Sequence, residues 1–168
     1  MAGYFDTTAS LVQLSLTFSM VGLAVGQLVI GPLSDKYGRK KTLMASLVLF
    51  CISTIGCLYA SAIYVFIFFR LLQGLSGAGG VVISKSIATD LYEGRELTRF
   101  FSMLSSVQGI APVCAPVLGG VLLEVTDWKG IFWILVLIGI LLIMALAFFK
   151  ESLNNEQQPV SYTHLRAH

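Results

Sequence analysis

The chain has 168 residues, of which 56% are hydrophobic and only 12% are charged, and its mean hydropathy is +0.83. A soluble domain of this length needs a more polar surface, because this composition leaves too few charged groups to face water. The net charge of +2 also provides no basic face for a nucleic acid. The composition therefore indicates that lipid surrounds most of this chain.

Five apolar stretches each reach about 20 residues, the length that an α-helix needs to cross the hydrocarbon core of a bilayer. They predict an all-α membrane protein with five transmembrane helices, at residues 9–30, 42–60, 62–82, 100–123 and 131–149. A short polar lead, residues 1–8, precedes them and lacks the basic region of a secretion signal. A polar tail, residues 150–168, is expected to be disordered, and its last part, residues 161–168, is interpreted as extraneous.

Lysines and arginines fall mainly in alternate connections between these stretches. The first connection contains Lys36, Arg39, Lys40 and Lys41, the third contains Lys85, Arg95 and Arg99, and the second contains none. By the positive-inside rule, the first and third connections are cytoplasmic and Met1 is outside. An external start with no helix before it predicts a further helix upstream of this chain.

The histidines and cysteines offer no basis for hydrolytic chemistry. His164 and His168 lie in the polar tail, outside every apolar stretch. Cys51, Cys57 and Cys114 lie inside apolar stretches, without the spacing of a disulfide or a metal site, and are interpreted as small buried residues. The chain is therefore predicted not to be an enzyme, and neither a metal nor another cofactor is expected.

The first connection contains the most specific pattern in the sequence. It reads GPLSDKYGRKK from Gly31 to Lys41, and its glycines and proline suit a tight turn whose charges stay in water. On charge alone, a loop that merely orients the protein in the membrane explains this segment equally well. The positions that define the pattern are Gly31, Leu33, Ser34, Asp35, Lys36, Gly38, Arg39 and Lys40.

The third stretch contains a charged residue, Arg70, followed by Gln73 and Gly74. A charge inside hydrocarbon costs at least a few kcal/mol unless it faces protein or water, so Arg70 is a candidate functional residue. The alternative is an arginine whose side chain reaches back to the membrane surface, since Arg70 is eight residues after the predicted helix start at residue 62.

The fourth stretch contains two prolines inside a predicted spanning helix. Each proline removes one backbone hydrogen bond and is expected to bend the helix, while the small residues beside them allow close packing. This segment comprises Ala111, Pro112, Ala115, Pro116, Gly119 and Gly120. Bending and packing alone are a sufficient explanation of the pattern when it is taken by itself.

Together these three patterns resemble the major facilitator superfamily over residues 6–151. The first connection resembles the signature between the second and third helices of that family, and R-x-x-Q-G resembles that of the fourth helix. The proline segment resembles the antiporter signature of the fifth helix, with Ala111 and Ala115 in place of glycines. The runs GQLVIGPLSD and WKGIFW also resemble the bicyclomycin/chloramphenicol (Bcr/CflA-type) drug:proton antiporters.

The resemblance implies that the chain corresponds to helices two to six of a twelve-helix transporter, within its amino-terminal six-helix bundle. It implies proton-coupled efflux of small amphipathic drugs across the bacterial inner membrane by alternating access, with a first helix and a carboxy-terminal half as further parts. It also implies an Arg39–Asp90 pair that latches the outward-open state, and a role for Arg70 in proton transfer. Two alternatives stay open, namely a truncated chain that transports nothing and a proton symporter for a sugar or another metabolite.

The acidic residues add one further expectation. Every Asp and Glu lies in a predicted connection or at an end of the chain, so the five stretches lack the groups that usually relay protons through membranes. Arg70 stays protonated and cannot itself relay a proton. We therefore expect the proton-carrying acid to lie outside these five stretches.

Overall fold

The computed structural model describes residues 9–148, and that part of the chain folds into five α-helices. The helices are α1 (Ala9–Tyr37), α2 (Arg39–Tyr59), α3 (Ile63–Leu91), α4 (Gly94–Val125) and α5 (Trp128–Phe148). Each is long and apolar enough to cross a membrane. The described region is therefore an all-α membrane protein, as the composition predicts, while the predicted polar lead and tail lie outside it.

The helices extend beyond the apolar stretches that predict them. α1 continues to Tyr37 rather than residue 30, α3 continues to Leu91 rather than residue 82, and α4 begins at Gly94 rather than residue 100. At about 1.5 Å per residue, the 29 residues of α3 measure about 43 Å, whereas the hydrocarbon core is about 30 Å thick. Hydropathy marks where a chain leaves hydrocarbon, but the backbone hydrogen bonds of a helix continue into the polar layers.

The segment interpreted as a tight turn, residues 31–41, is helical except at one position, which corrects that interpretation. α1 continues through Pro32, and α2 begins at Arg39, so Gly38 alone separates the two helices. Gly38 has a φ of 94°, a left-handed conformation that residues with a Cβ rarely adopt. Its N–H donates to the Ser34 carbonyl at 3.0 Å and closes the last turn of α1. A single glycine is therefore enough to change the direction of the chain.

The backbones of α1 and α3 touch where the two helices cross. A Cβ atom at Gly74 of α3 would overlap the Ser19 carbonyl of α1, and one at Gly22 of α1 would overlap the Leu71 carbonyl of α3. Gly26 repeats this contact one turn further along α1. In lipid, where packing rather than the hydrophobic effect holds helices together, such small residues allow the closest approach. This crossing is therefore the tightest contact of the described bundle.

Aromatic rings fill the core between α2, α3 and α5. Phe66 of α3 is buried and packs edge-on against Phe132 and Trp128 of α5, with ring centroids 5.8 Å and 6.1 Å apart. Edge-to-face contact is an arrangement that the ring quadrupoles favour. Cys57 of α2 is buried in the same cluster. This core holds α5 against the α2–α3 pair.

α4 is the least packed of the five helices. It contacts α3 and α5 only lightly, and within the described region none of its residues is buried. Cys114 is accordingly exposed, which corrects the expectation that all three cysteines are buried, whereas Cys51 and Cys57 are buried as expected. The physical reason is that Cys114 lies on α4, which the other described helices contact only lightly, so a position inside an apolar stretch does not by itself imply burial.

Candidate functional site

The first candidate region lies where α2 begins and α3 ends. Arg39 is the first residue of α2, and Asp90 lies in the last turn of α3. Arg39 Nε donates to Asp90 Oδ2 at 3.1 Å, and Arg39 Nη2 donates to Asp90 Oδ1 at 3.4 Å. Two N–H groups of the planar guanidinium thus meet the two carboxylate oxygens, which fixes the geometry of the pair. The structure therefore brings together the two residues that the resemblance pairs.

Arg39 also holds the end of α1. Its Nη1 lies 3.1 Å from Asp35 Oδ1 and donates to Ser34 Oγ at 3.3 Å. The Ser34 hydroxyl is buried and donates to the Gly31 carbonyl at 2.8 Å. One guanidinium therefore joins the ends of three helices at the side of the bundle that the positive-inside rule predicts to be cytoplasmic.

The other residues of this signature lie around that contact. Leu33 and Lys36 are exposed on the last turns of α1, whereas Gly31 and Lys40 are half-buried. Gly38 supplies the change of direction that places Arg39 beside the other helix ends. The signature is therefore a junction between helix ends rather than a free loop.

The second candidate region is a polar network between α2 and α3. Arg70 Nη1 donates to Gln73 Oε1 at 2.6 Å, and Gln73 Nε2 donates to Thr54 Oγ1 at 2.8 Å. The Thr54 hydroxyl donates to the Phe50 carbonyl at 2.6 Å. Thr54 and Gln73 are only 0% and 4% exposed, so water cannot satisfy these groups instead. Gln73 therefore links the Thr54 hydroxyl of α2 to the Arg70 guanidinium inside the apolar bundle.

The surroundings of Arg70 argue against a side chain that reaches back to the membrane surface. The guanidinium carbon of Arg70 lies 5.9 Å from the centroid of the Phe132 ring, a distance at which the ring quadrupole attracts a cation. The guanidinium also donates a hydrogen bond to Gln73, which lies one turn further along the same helix. Arg70 is half-buried and is held between α3 and the aromatic core.

Gly74 and the proline segment of α4 have no hydrogen bond in the network of Arg70, Gln73 and Thr54. Gly74 faces the Ser19 carbonyl of α1, so its visible role is close packing. A Cβ at Gly119 or Gly120 would meet no atom of residues 9–148 within 4 Å. α4 remains helical through its two prolines. The exposed residues of this segment are Ala111, Pro112, Ala115, Pro116 and Gly120, while Gly119 is half-buried.

Thr54 is the site residue that the sequence reasoning missed. It is one of several hydroxyl residues of α2, and hydroxyls in a spanning helix often bond only to their own backbone. A usable signal was the spacing of Thr42, Ser46 and Thr54 at multiples of four, which keeps successive members within about 80° of each other around the axis of α2. All three are buried. Thr54 binds a polar side chain of α3, whereas the buried Thr42 hydroxyl has no hydrogen-bond partner among the described residues.

Comparisons with known proteins agree on one family. The family model described as Major Facilitator Superfamily matches residues 1–164. The chain is 43% identical over 156 residues to the MFS-type transporter YdgK of Bacillus subtilis (strain 168), which covers 91% of this chain and 39% of that protein. It is 33% identical over 144 residues to the bicyclomycin resistance protein homolog of Haemophilus influenzae, which covers 86% of this chain and 36% of that protein.

A third relative is the multidrug resistance protein MdtL of Escherichia coli (strain K12 / DH10B). The chain is 33% identical to it over 150 residues, which covers 88% of this chain and 38% of that protein. The chain therefore spans about two fifths of the length of these curated relatives. Resistance proteins among the relatives agree with the resemblance to the drug:proton antiporter subgroup.

Proposed function

Because the chain belongs to the Major Facilitator Superfamily, we propose that it takes part in the proton-driven export of small amphipathic drugs across the bacterial inner membrane. The observation that carries this proposal is the Arg70 network, which holds a permanent positive charge inside a spanning helix. Such a charge costs several kcal/mol unless protein groups surround it, and an ionisable residue at this depth is a functional candidate by default. The family resemblance gives this arginine a role in proton transfer.

The relatives and the α4 segment support export rather than uptake. Two relatives are named as a bicyclomycin resistance protein homolog and a multidrug resistance protein. The proline segment of α4 resembles an antiporter signature, which disfavours a sugar or metabolite symporter. A drug of this class would bind mainly through apolar contacts, because small-molecule pockets are mostly lined by hydrophobic and aromatic groups.

In the proposed mechanism the two candidate regions act on different steps. The Arg39–Asp90 pair holds the cytoplasmic end of the bundle together in the outward-open state, and its rupture lets that end rearrange. Arg70 attracts a carboxylate that lies outside the five helices described here. Protonation of that carboxylate removes the attraction, while Arg70 keeps its own proton.

The test is drug export by a polypeptide of the relatives' full length that contains this chain, reconstituted in proteoliposomes with an imposed pH gradient. We expect export of a fluorescent cationic drug that depends on the gradient and is lost in Arg70→Ala. Lys85→Ala is the matched control, because Lys85 is a cation of the same helix that is exposed near its end. Gradient-driven export that survives Arg70→Ala would contradict the assignment of coupling to this residue.

A further inference from the structure

We propose that Thr54 is a positioning residue for Arg70 and acts through Gln73. The three side chains form one series of hydrogen bonds from α2 to the half-buried cation of α3. The consequence of this role for transport rests on the proposed function. The positioning itself depends only on the contacts around Gln73.

The hydroxyl of Thr54 determines which way the Gln73 amide faces. A threonine has one hydroxyl proton, and Thr54 gives it to the Phe50 carbonyl at 2.6 Å. The Thr54 oxygen is therefore left as an acceptor, so only the NH2 side of the Gln73 amide can bind it, at 2.8 Å. The amide oxygen then faces the other way, where Arg70 Nη1 donates to it at 2.6 Å.

Arg70, at the other end of this series of hydrogen bonds, favours the same orientation of the Gln73 amide. A guanidinium has five N–H donors and no acceptor, so it needs the oxygen of the Gln73 amide and is repelled by its NH2 group. Without Thr54 the amide of Gln73 loses the acceptor that holds its NH2 group away from Arg70. The Gln73 amide would then populate two orientations, and only the one whose oxygen faces Arg70 binds the cation.

Burial prevents water from replacing Thr54 as the hydrogen-bond acceptor for the Gln73 NH2 group. Thr54 is 0% exposed and Gln73 is 4% exposed, so an unpaired amide at this position stays unpaired. The network also crosses from α2 to α3, since Thr54 belongs to α2 while Gln73 and Arg70 belong to α3. The position of the Arg70 guanidinium therefore depends on how α3 is seated against α2.

The neighbouring residue Ser53 provides a matched comparison. Its hydroxyl donates to the carbonyls of Leu49 and Phe50, at 2.8 Å and 3.0 Å, and both belong to its own helix. Ser53 is also 0% exposed. Ser53→Ala therefore removes an equally buried hydroxyl with similar backbone bonds but leaves the contact with Gln73 intact.

The first measurement is the rate at which phenylglyoxal modifies Arg70 in the full-length protein in lipid, followed by mass spectrometry. Thr54→Val keeps the shape of the side chain but not the hydroxyl, and we expect a roughly three- to tenfold faster modification of Arg70, the effect of losing about one hydrogen bond. Thr54→Ser and Ser53→Ala are expected to keep the original rate. The rate at Arg39 serves as the internal reference.

Equal Arg70 rates in Thr54→Val and Ser53→Ala would overturn the proposal. If Thr54→Val does not fold, Thr54→Ala replaces it in the same comparison. A second readout is the pH profile of export, whose half-maximal point we expect to move to higher pH in Thr54→Val and to return in Thr54→Ser, because a displaced cation stabilises a carboxylate less. If the unaltered protein exports nothing, the proposed function fails, but the Arg70 rates still decide the role of Thr54.

Discussion

Arg39 joins three helix ends through contacts that are partly open to water. Its side chain is 17% exposed, while those of its partners Asp90 and Asp35 are 36% and 66% exposed. Ion pairs in such surroundings add little to stability, because solvent screens them and both side chains lose conformational freedom. The contribution of Arg39 is therefore expected mainly in the balance between conformations, where a small energy changes a population severalfold.

Asp90→Asn is expected to lower the stability of the fold by only about 1 kcal/mol, because its ion pair with Arg39 is partly exposed. Asp35→Asn should lower it less, since Asp35 is the more exposed partner. Thermal unfolding in detergent at low and high salt measures both effects, and salt should reduce them, because ions screen charges over about 10 Å at 0.1 M. A loss of several kcal/mol in Asp90→Asn would instead indicate a fully desolvated pair.

Gly74→Ala is expected to destabilise the protein by about 1–3 kcal/mol, because the added methyl group overlaps the Ser19 carbonyl and forces two backbones apart. Gly77→Ala is the matched control on the same helix, since a Cβ there meets no described atom within 4 Å. The thermal unfolding midpoints of the two variants give the comparison. Similar midpoints would show that the α1–α3 crossing is looser than described.

At the scale of the element, hydropathy predicts that the five helices exist but not where they end. The apolar run stops at residue 30, yet α1 continues to Tyr37, because nothing in the water layer ends a helix until Gly38 permits a left-handed φ. The number of apolar residues needed to cross the bilayer does not show how far a helix continues into the water layer. The helix ends matter here because they bear the Arg39–Asp90 pair.

The candidate site was predictable in part. The Arg39–Asp90 contact could be expected from a family resemblance, since both residues fall in matching cytoplasmic connections. The contact between Thr54 and Gln73 could not, because it depends on how α2 is rotated and seated against α3. Sequence spacing fixes the face of one helix, whereas a contact between two helices also needs their relative register.

The stability of the described bundle and its proposed function are expected to depend differently on Gly119 of α4. A Cβ at Gly119 would meet no described atom within 4 Å, so Gly119→Leu should leave the thermal unfolding midpoint of this chain nearly unchanged. In the full-length protein we expect the same change to impair export, because close helix approach tolerates little side-chain volume.

Val117→Leu is the control for Gly119→Leu, since Val117 lies on nearly the opposite face of α4 and is exposed. It should change neither stability nor export. Normal export by Gly119→Leu in the full-length protein would remove the basis for a packed partner on that face of α4.

At the scale of the whole molecule, the acids of the described region lie at helix ends or between helices. They are Asp35, Asp90, Glu93, Glu96, Glu124 and Asp127. We therefore expect the 168-residue chain, reconstituted by itself, to show no drug movement driven by a pH gradient, whereas a polypeptide of the relatives' length does. Flux assays in matched proteoliposomes provide the measurement. Gradient-driven transport by the 168-residue chain alone would show that this chain already contains the proton site.

The contact of glycines with carbonyls between α1 and α3 determines how these helices can move. Where one backbone lies directly on another, a shift along the axis brings the next Cβ towards a carbonyl, so we expect this contact to resist sliding of one helix past the other. We expect α1 and α3 to move together as one rigid body, while the loosely packed α4 changes its position relative to them. Spin labels on α1 and α3 should then keep their separation when the transporter changes state, while the distance from either helix to α4 changes.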